Sequence, residues 1–315
     1  MILDKISDFL KKDYESSILA CGFLINSYRF AVVVGIVDAI FVGGSVNAQL
    51  GYNNTDEYNG TSWSTGGVTP TLTAHNAGGG TSNSGWYASS FANGTGYVNT
   101  SMSYNGTSWS GEAILSGATG AMRGGGGASE AEALVWGGYW GGGTVYSSTF
   151  AYNGTSWSTK GNMSVVRAYS DGAGNSNNAL AVGGWSVSSI LSSSEEFNGS
   201  TWSSVATMNR GGNAQSGTGG NATLAVVVGG GDTYGPLTSV EEYNGTTWSN
   251  GTALSTALVG TGVGGNGLLT LHVGGVNTSG VGSSICQEYN STSNVWTTKS
   301  SIGLARGNGA NGASA

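Results

Sequence analysis

Arginine is scarce in this chain, yet four copies share a setting. Arg123, Arg167, Arg210 and Arg306 each head a run of small residues, as in Arg123-Gly124-Gly125-Gly126-Gly127-Ala128 and Arg210-Gly211-Gly212-Asn213. A guanidinium fork binds a carboxylate or sulfate bidentately, so a ring of such forks would hold an anion. Pairing with carboxylates of neighbouring segments, or with buried carbonyls, is the competing expectation, because an unpaired buried charge is costly. A second group is aromatic and sits on Gly/Ser-rich stretches: Phe91, Tyr97, Tyr139, Trp140, Trp185 and Tyr234. Such rings offer flat amphipathic contact area that suits a sugar or a protein epitope, unless they fold back onto the body of the protein.

Titratable groups suited to catalysis do not converge. The two histidines, His75 and His272, are far apart in sequence, and Cys21 and Cys286 have no metal-type spacing. No Ser-His-Asp spacing, CxxC pair or phosphate-binding loop is present, so no catalytic residue, metal or cofactor is expected. Acidic residues recur at Asp56-Glu57, Glu195-Glu196, Glu241-Glu242 and Glu288. Their period marks them as outer-strand positions, where charge would form a solvated edge that discourages strand pairing.

The elements that must position these residues are set by a repeat. Tyr152-Asn153-Gly154-Thr155-Ser156-Trp157-Ser158 has near-copies centred on Trp63, Trp109, Trp202, Trp248 and Trp296, at steps of 46, 48, 45, 46 and 48 residues along the chain. A period of that size means a repeat architecture. Asn-Gly between strand-forming runs predicts a two-residue type I′ hairpin, with an aromatic before the turn and the Trp after it on adjoining strands. Upstream of each Trp an apolar strand closes on Gly-Gly, as in Ile40-Phe41-Val42-Gly43-Gly44 and Leu134-Val135-Trp136-Gly137-Gly138; the second unit has Ser89-Ser90 there. A Gly-rich innermost strand begins each unit, because small side chains fit a crowded axis.

Apolar strand, Gly-Gly, variable loop, Tyr, then Trp is the order seen in Kelch repeats. Over residues 39 to 315 the chain resembles the Kelch family and the propeller domain of galactose oxidase. That resemblance implies an all-β, six-bladed Kelch-like β-propeller, each Trp filling a junction between neighbouring blades. Ala305-Arg306-Gly307-Asn308-Gly309-Ala310 matches the innermost strand with nothing after it to complete another blade. It is expected to pair beside Ile40 to Gly44 and close the first blade. The Arg set would then ring the axial opening, with His75 in the equivalent place of the second unit. A copper-radical centre of the galactose oxidase kind is not expected, since two well-separated histidines cannot supply its ligands.

Charged residues are only 9% of the chain, and 8 of the 27 fall within the first 29 residues. With a net charge of −7, the basic stripe that a nucleic-acid partner requires is missing. Residues 1 to 38 stand outside the repeat as a helical extension. Ile2, Leu3, Ile6, Phe9, Leu10, Tyr14 and Ile18 recur at helical spacing among Asp4, Lys5, Asp8, Lys11 and Lys12, an amphipathic pattern. The following apolar stretches are broken by Asn26 to Arg29 and by Asp38, too short for a membrane span. Val46-Asn47-Ala48 resembles a leader cleavage site, but cleavage there would remove the first apolar strand. A retained extension through which residues 1 to 28 bind another particle protein is therefore expected.

Low-charge Gly/Ser/Thr/Asn-rich Kelch-like repeats resemble those of bacteriophage particles. The resemblance implies a virion or extracellular location and a non-catalytic module of a fibre or spike that recognises a glycan or host surface receptor. A purely structural particle or cell-surface component, attached through the N-terminal helix, is the alternative. The expected ligand residues are Phe91, Tyr139, Trp140, Trp185, Tyr234, Arg123, Arg167, Arg210 and Arg306.

Overall fold

The structure, a computed structural model, describes residues 36, 38–45, 51–92, 96–115, 124–140, 143–210, 217–307 and 310–314. The expected N-terminal helix, Cys21, the cleavage-like Val46-Asn47-Ala48 and Arg123 lie outside the described residues.

Each repeat unit folds as one antiparallel sheet, its four principal strands running in chain order from innermost to outermost. Blade 2 comprises Ala77–Thr81, Ser84–Ala92, Gly96–Tyr104 and Trp109–Gly111, and Thr73–Ala74 pairs with the far end of its second strand. Blade 3 comprises Gly124–Gly126, Leu134–Trp136, Thr149–Tyr152 and Trp157–Lys160; blade 4 comprises Asp171–Asn175, Asn178–Val182, Ser194–Phe197 and Trp202–Ser204. Blade 5 comprises Gly217–Gly220, Ala225–Val228, Val240–Tyr243 and Trp248–Asn250; blade 6 comprises Gly262–Gly265, Leu269–Val273, Cys286–Asn290 and Val295–Thr298. Blade 1 takes Asp38–Val42, Thr55–Tyr58 and Trp63–Thr65 from the start of the repeat and Ala310–Ser314 from the end of the chain. Val42 lies opposite Ala310 and Asp38 opposite Ser314. The innermost strands touch in cyclic order, with those of blades 6 and 1 closing the ring. This is a six-bladed β-propeller sealed by the last strand, which covers the inner edge of blade 1 and leaves only the short outer edge of each blade.

One expectation shifts by a few residues. The closing strand starts at Ala310 rather than Ala305, and the blade 4 inner strand starts at Asp171 rather than Arg167. Arg167, Arg210 and Arg306 head the connections before the inner strands, not the strands themselves. Small residues at the axis have the expected cause: a Cβ on Gly126 would stand 2.4 Å from the Gly174 carbonyl oxygen of the next blade.

Among the described residues the buried apolar side chains gather in six clusters, one at each junction, rather than in one central core. Ile40 and Val42 of blade 1 pack on Tyr87, Tyr104 and Trp109 of blade 2, and Leu134 and Trp136 of blade 3 pack on Ala181 and Phe197 of blade 4. Leu271 and Val273 of blade 6 pack on Phe41 and Tyr58 of blade 1. Strand alternation produces this, since successive side chains of a second strand face the preceding and the following blade.

The Trp repeat works at those junctions. Each Trp packs on the aromatic across its hairpin, stacked in Tyr104–Trp109 at 4.9 Å and tilted in Phe197–Trp202 at 5.1 Å. In blades 2 to 6 its indole N–H bonds into the preceding blade: Trp109 donates to Thr55 Oγ1 at 2.8 Å, Trp202 to Thr149 Oγ1 at 2.8 Å and Trp248 to the Ala206 carbonyl at 3.0 Å. The hairpin itself differs from the expected two-residue type I′ turn. Tyr58 pairs with Trp63, leaving a four-residue loop. Asn59 Oδ1 accepts the N–H groups of Thr61 and Ser62, and only Gly60 takes positive φ. The Asn side chain completes the turn that its backbone was expected to make.

The acidic pairs are not a solvated edge either. Asp56, Glu195 and Glu241 are buried and tie the connections down. Glu195 accepts from Ser164 N and Oγ at 2.8 and 2.7 Å, and Glu241 accepts the N–H groups of Asn209 and Arg210 at 2.7 and 3.1 Å. Their neighbours clasp the next blade. Tyr104 donates its hydroxyl to Glu57, Tyr243 to Glu196 at 2.9 Å, and Tyr289 to Glu242. Between blades 2 and 3, where Ser103 replaces the Glu, Glu112 takes the Tyr152 hydroxyl at 2.9 Å. Between blades 3 and 4 acceptor and donor vanish together, as Ala151 and Phe197. Burial and the facing carboxylate push the Tyr243 phenol up to about 12, which keeps it a donor at neutral pH.

Candidate functional site

The residue after Gly-Gly occupies the same place in every blade, because the second strand ends there and the chain turns onto the loop face. In chain order from blade 1 it is Ser45, Phe91, Tyr139, Trp185, Gly231 and Val276. Three consecutive blades carry a ring and the other three carry none. In blade 4 this residue is held by the incoming connection: Ala168 and Trp185 exchange backbone hydrogen bonds at 2.8 and 2.7 Å. In blade 2 the same pairing sets Ala74 opposite Phe91.

The rings meet. His75 and Phe91 stand edge to face at 6.4 Å, Phe91 and Tyr97 at 5.5 Å, and Tyr97 lies 6.0 Å from Tyr139 and 5.9 Å from Trp140. Tyr139 stacks on Tyr169 at 5.9 Å and meets Trp185 at 6.2 Å. A continuous aromatic arc thus runs across blades 2, 3 and 4. Its members are half-buried apart from Trp140, which is 43% exposed. Tyr139–Trp140 pairs with Thr144–Val145 as a small hairpin. Burial, then the nearby Tyr169 and Tyr139, raise the Tyr97 phenol above its ordinary value, so it remains a protonated hydroxyl.

Of the four non-glycine residues with left-handed backbone among the described residues, Asn294 lies in the outer hairpin of blade 6 and the other three gather at the same place as the arc. His75 and Tyr169 adopt φ of 60° and 52° in the connections to blades 2 and 4. Gly260 holds that position in blade 6, at φ 64°. Left-handed backbone costs a residue with a Cβ about 1–2 kcal/mol. Two blades therefore carry an aromatic ring where glycine is the unstrained choice, and both rings join the arc. Ser89, at φ 53° in the blade 2 counterpart of Gly43, adds a third such position beneath it. Persistent strain of this kind concentrates at binding and catalytic sites.

The arc thus collects Phe91, Tyr139, Trp140 and Trp185 from the expected set, together with Tyr97. Tyr234 stands apart, 96% exposed on the loop of blade 5, its N–H donated to Asp232 Oδ1. Sequence reasoning missed Tyr169 and gave His75 another role. The signal was there in principle, since both align with Gly260.

Of the four arginines expected to form an anion ring, the three described, Arg167, Arg210 and Arg306, do not form one. Arg167 is fully buried and its fork is used up: it bonds Glu195 at 3.0 Å, the Gly183 and Ser193 carbonyls at 2.8 and 2.9 Å, and Ser193 Oγ at 2.9 Å. Arg306 is likewise buried, bonded to Asp56 at 2.5 Å and the Gly43 carbonyl at 2.6 Å and lying over the Phe41 ring. Both serve as structural ties, because a buried guanidinium must find partners. Arg210 turns outward and pairs with Asp232 at 3.4 Å.

No protein-family model and no curated protein sequence matches the chain. Its fold does match a solved structure. YjhT aligns with a TM-score of 0.64 at 12% identity, over 85% of this chain and 98% of that one. A likeness at that identity shows the propeller fold alone.

The remaining titratable candidates are scattered. His272 lies inside the second strand of blade 6, fully buried, with neither ring nitrogen hydrogen-bonded and the Trp296 ring edge-on at 6.0 Å. Burial pulls its imidazole down to about 4. Burial also pushes the Cys286 thiol up to about 12, far from the thiolate a nucleophile needs. Among the described residues no group of three His, Cys, Asp or Glu side chains could hold a metal ion, and no helix is long and apolar enough to cross a membrane.

Proposed function

We propose that this chain is a non-catalytic binding module that recognises a glycan through the aromatic arc of blades 2 to 4. The observation that carries the reading is the restriction of rings to three adjacent blades, at positions where the other three have Ser45, Gly231 and Val276, with strained backbone at His75 and Tyr169. Packing alone would place similar residues at all six equivalent positions, as it does for the junction Trp. Aromatic faces match the apolar faces of sugar rings, and phenol and indole N–H and O–H groups bond their hydroxyls.

The order of apolar strand, Gly-Gly, Tyr and Trp supports a Kelch-like repeat. The low-charge, Asn/Ser/Thr-rich surface supports a place on a virion or other extracellular surface, as part of a fibre or spike that contacts a host receptor glycan. Residues 1 to 28 would then attach the propeller to another particle protein.

The test is a glycan-array screen of the full chain, followed by titration of any hit. Trp140→Ala and Trp185→Ala are each expected to weaken binding by about 1–3 kcal/mol, the range for truncating a hot-spot aromatic, without unfolding the protein. A folded protein that binds no glycan, or one whose binding is untouched in both variants, would favour a purely structural particle component instead.

A further inference from the structure

We infer that the arc takes an uncharged, extended oligosaccharide, an inference that rests on the glycan reading above and narrows its ligand. The first ground is charge. Of the arginines expected to hold an acidic sugar, Arg123 lies outside the described residues, and Arg167 and Arg306 are fully buried and saturated by Glu195, Asp56 and backbone carbonyls. Arg210 is neutralised by Asp232 on blade 5, beyond the arc. The arc itself is built from Phe91, Tyr97, Tyr139, Trp140, Tyr169 and Trp185, none of which carries a formal charge at neutral pH, with His75 at one end. A carboxylate or sulfate laid on such a surface would lose hydration without gaining a counter-charge. The chain's net charge of −7 opposes its approach as well.

The second ground is reach. From His75 to Trp185 the rings follow one another across three blades, with successive centroids 5.5 to 6.4 Å apart. One sugar ring covers one or two such platforms, so filling the arc takes several linked sugars. The hydroxyls of Tyr97, Tyr139 and Tyr169 can donate or accept, which suits a ligand whose polar groups are themselves hydroxyls.

The experiment compares neutral glucose, galactose and mannose oligosaccharides of increasing length with sialylated, uronate-containing and sulfated ones, at low and high salt. The expected result is a preference for neutral chains by at least about tenfold, affinity that rises with length before reaching a plateau, and little salt dependence. Preference for acidic glycans with strong salt dependence would overturn the inference while leaving the glycan reading intact. Monosaccharides that bind as tightly as long chains would overturn the extended mode in the same way. If the folded protein binds neither class, the glycan reading itself fails and this inference falls with it.

Discussion

On the loop face, blades 2 to 4 and blades 5 to 1 are built on the same backbone and differ in what they show to solvent. At the position after Gly-Gly the first group presents Phe91, Tyr139 and Trp185, and the second presents Gly231, Val276 and Ser45. At the left-handed position in the connections, His75 and Tyr169 in blades 2 and 4 face Gly260 in blade 6. Residues common to both halves, such as the Trp of each outer strand and the buried carboxylates, report what the scaffold demands. On the proposed reading, residues that break the repeat on one side only report a use beyond folding. In a repeat protein one half thus serves as the internal control for the other.

The sharpest way to break that contrast is through the buried ion pairs, one in each half. Arg167→Ala would leave Glu195 buried without its partner, and Arg306→Ala would do the same to Asp56. Each is expected to cost about 3–5 kcal/mol, as for breaking a buried pair from one side, read from the urea midpoint. Arg210→Ala, whose pair is exposed, should change stability by at most about 1 kcal/mol. If Arg167→Ala abolished glycan binding while leaving the midpoint in place, the arginine would belong to the site and the division drawn here would be wrong.

A smaller effect belongs to the bare half. His272 sits where the other blades have Phe41, Tyr87, Val135, Ala181 and Val227, and its imidazole is held near 4 by burial against an ordinary value of about 6.5. The unfolded chain therefore binds a proton that the folded one refuses. The neutral form's contribution is whole above pH ~6.5 and is lost as pH falls towards 4, about 3 kcal/mol in all. Burial raises Glu241, an effect of opposite sign, so the difference between variants is the quantity to measure. His272→Val should flatten the slope between pH 6.5 and 4 relative to the parent protein. Parallel stability curves for the two would show that the imidazole finds a partner on protonation.

The fold was largely legible because its demands repeat. The Trp period set the number of blades, and the unpaired Gly-rich run at the C-terminus pointed to the closing strand. What stayed hidden depended on offsets of a few residues. Arg167 precedes its inner strand by four positions, which turns it from the axis into the blade, and no composition argument resolves that distance. The acidic pairs looked solvated because their partners, backbone N–H groups and the next blade's Tyr hydroxyl, lie about one repeat away or carry no sequence mark. The aromatic loops were visible as residue types, but their convergence was not, since it depends on which blades are adjacent and on the left-handed turn that brings Tyr169 beside Tyr139.

That turn supplies the finest test of the contrast. Tyr169→Gly converts the arc's connection into the form seen at Gly260, and four terms act on stability. Relief of the left-handed backbone returns about 1–2 kcal/mol. The added freedom of the unfolded glycine costs roughly 0.5–1 kcal/mol, and the lost stacking on Tyr139 about 0.5–1.5 kcal/mol. The ring is only half-buried, so losing its apolar area costs less than the ~3–5 kcal/mol typical of a core aromatic. The first three terms nearly cancel, so the net loss follows the ring's half-buried area and stays below about 3 kcal/mol, while glycan affinity should fall by an amount comparable to that of a hot-spot truncation. A core tyrosine would behave the other way round, losing several kcal/mol of stability with no selective loss of binding. A drop of more than about 3 kcal/mol in Tyr169→Gly would therefore place the ring with the scaffold, and blades 2 to 4 would differ from blades 5 to 1 in packing alone.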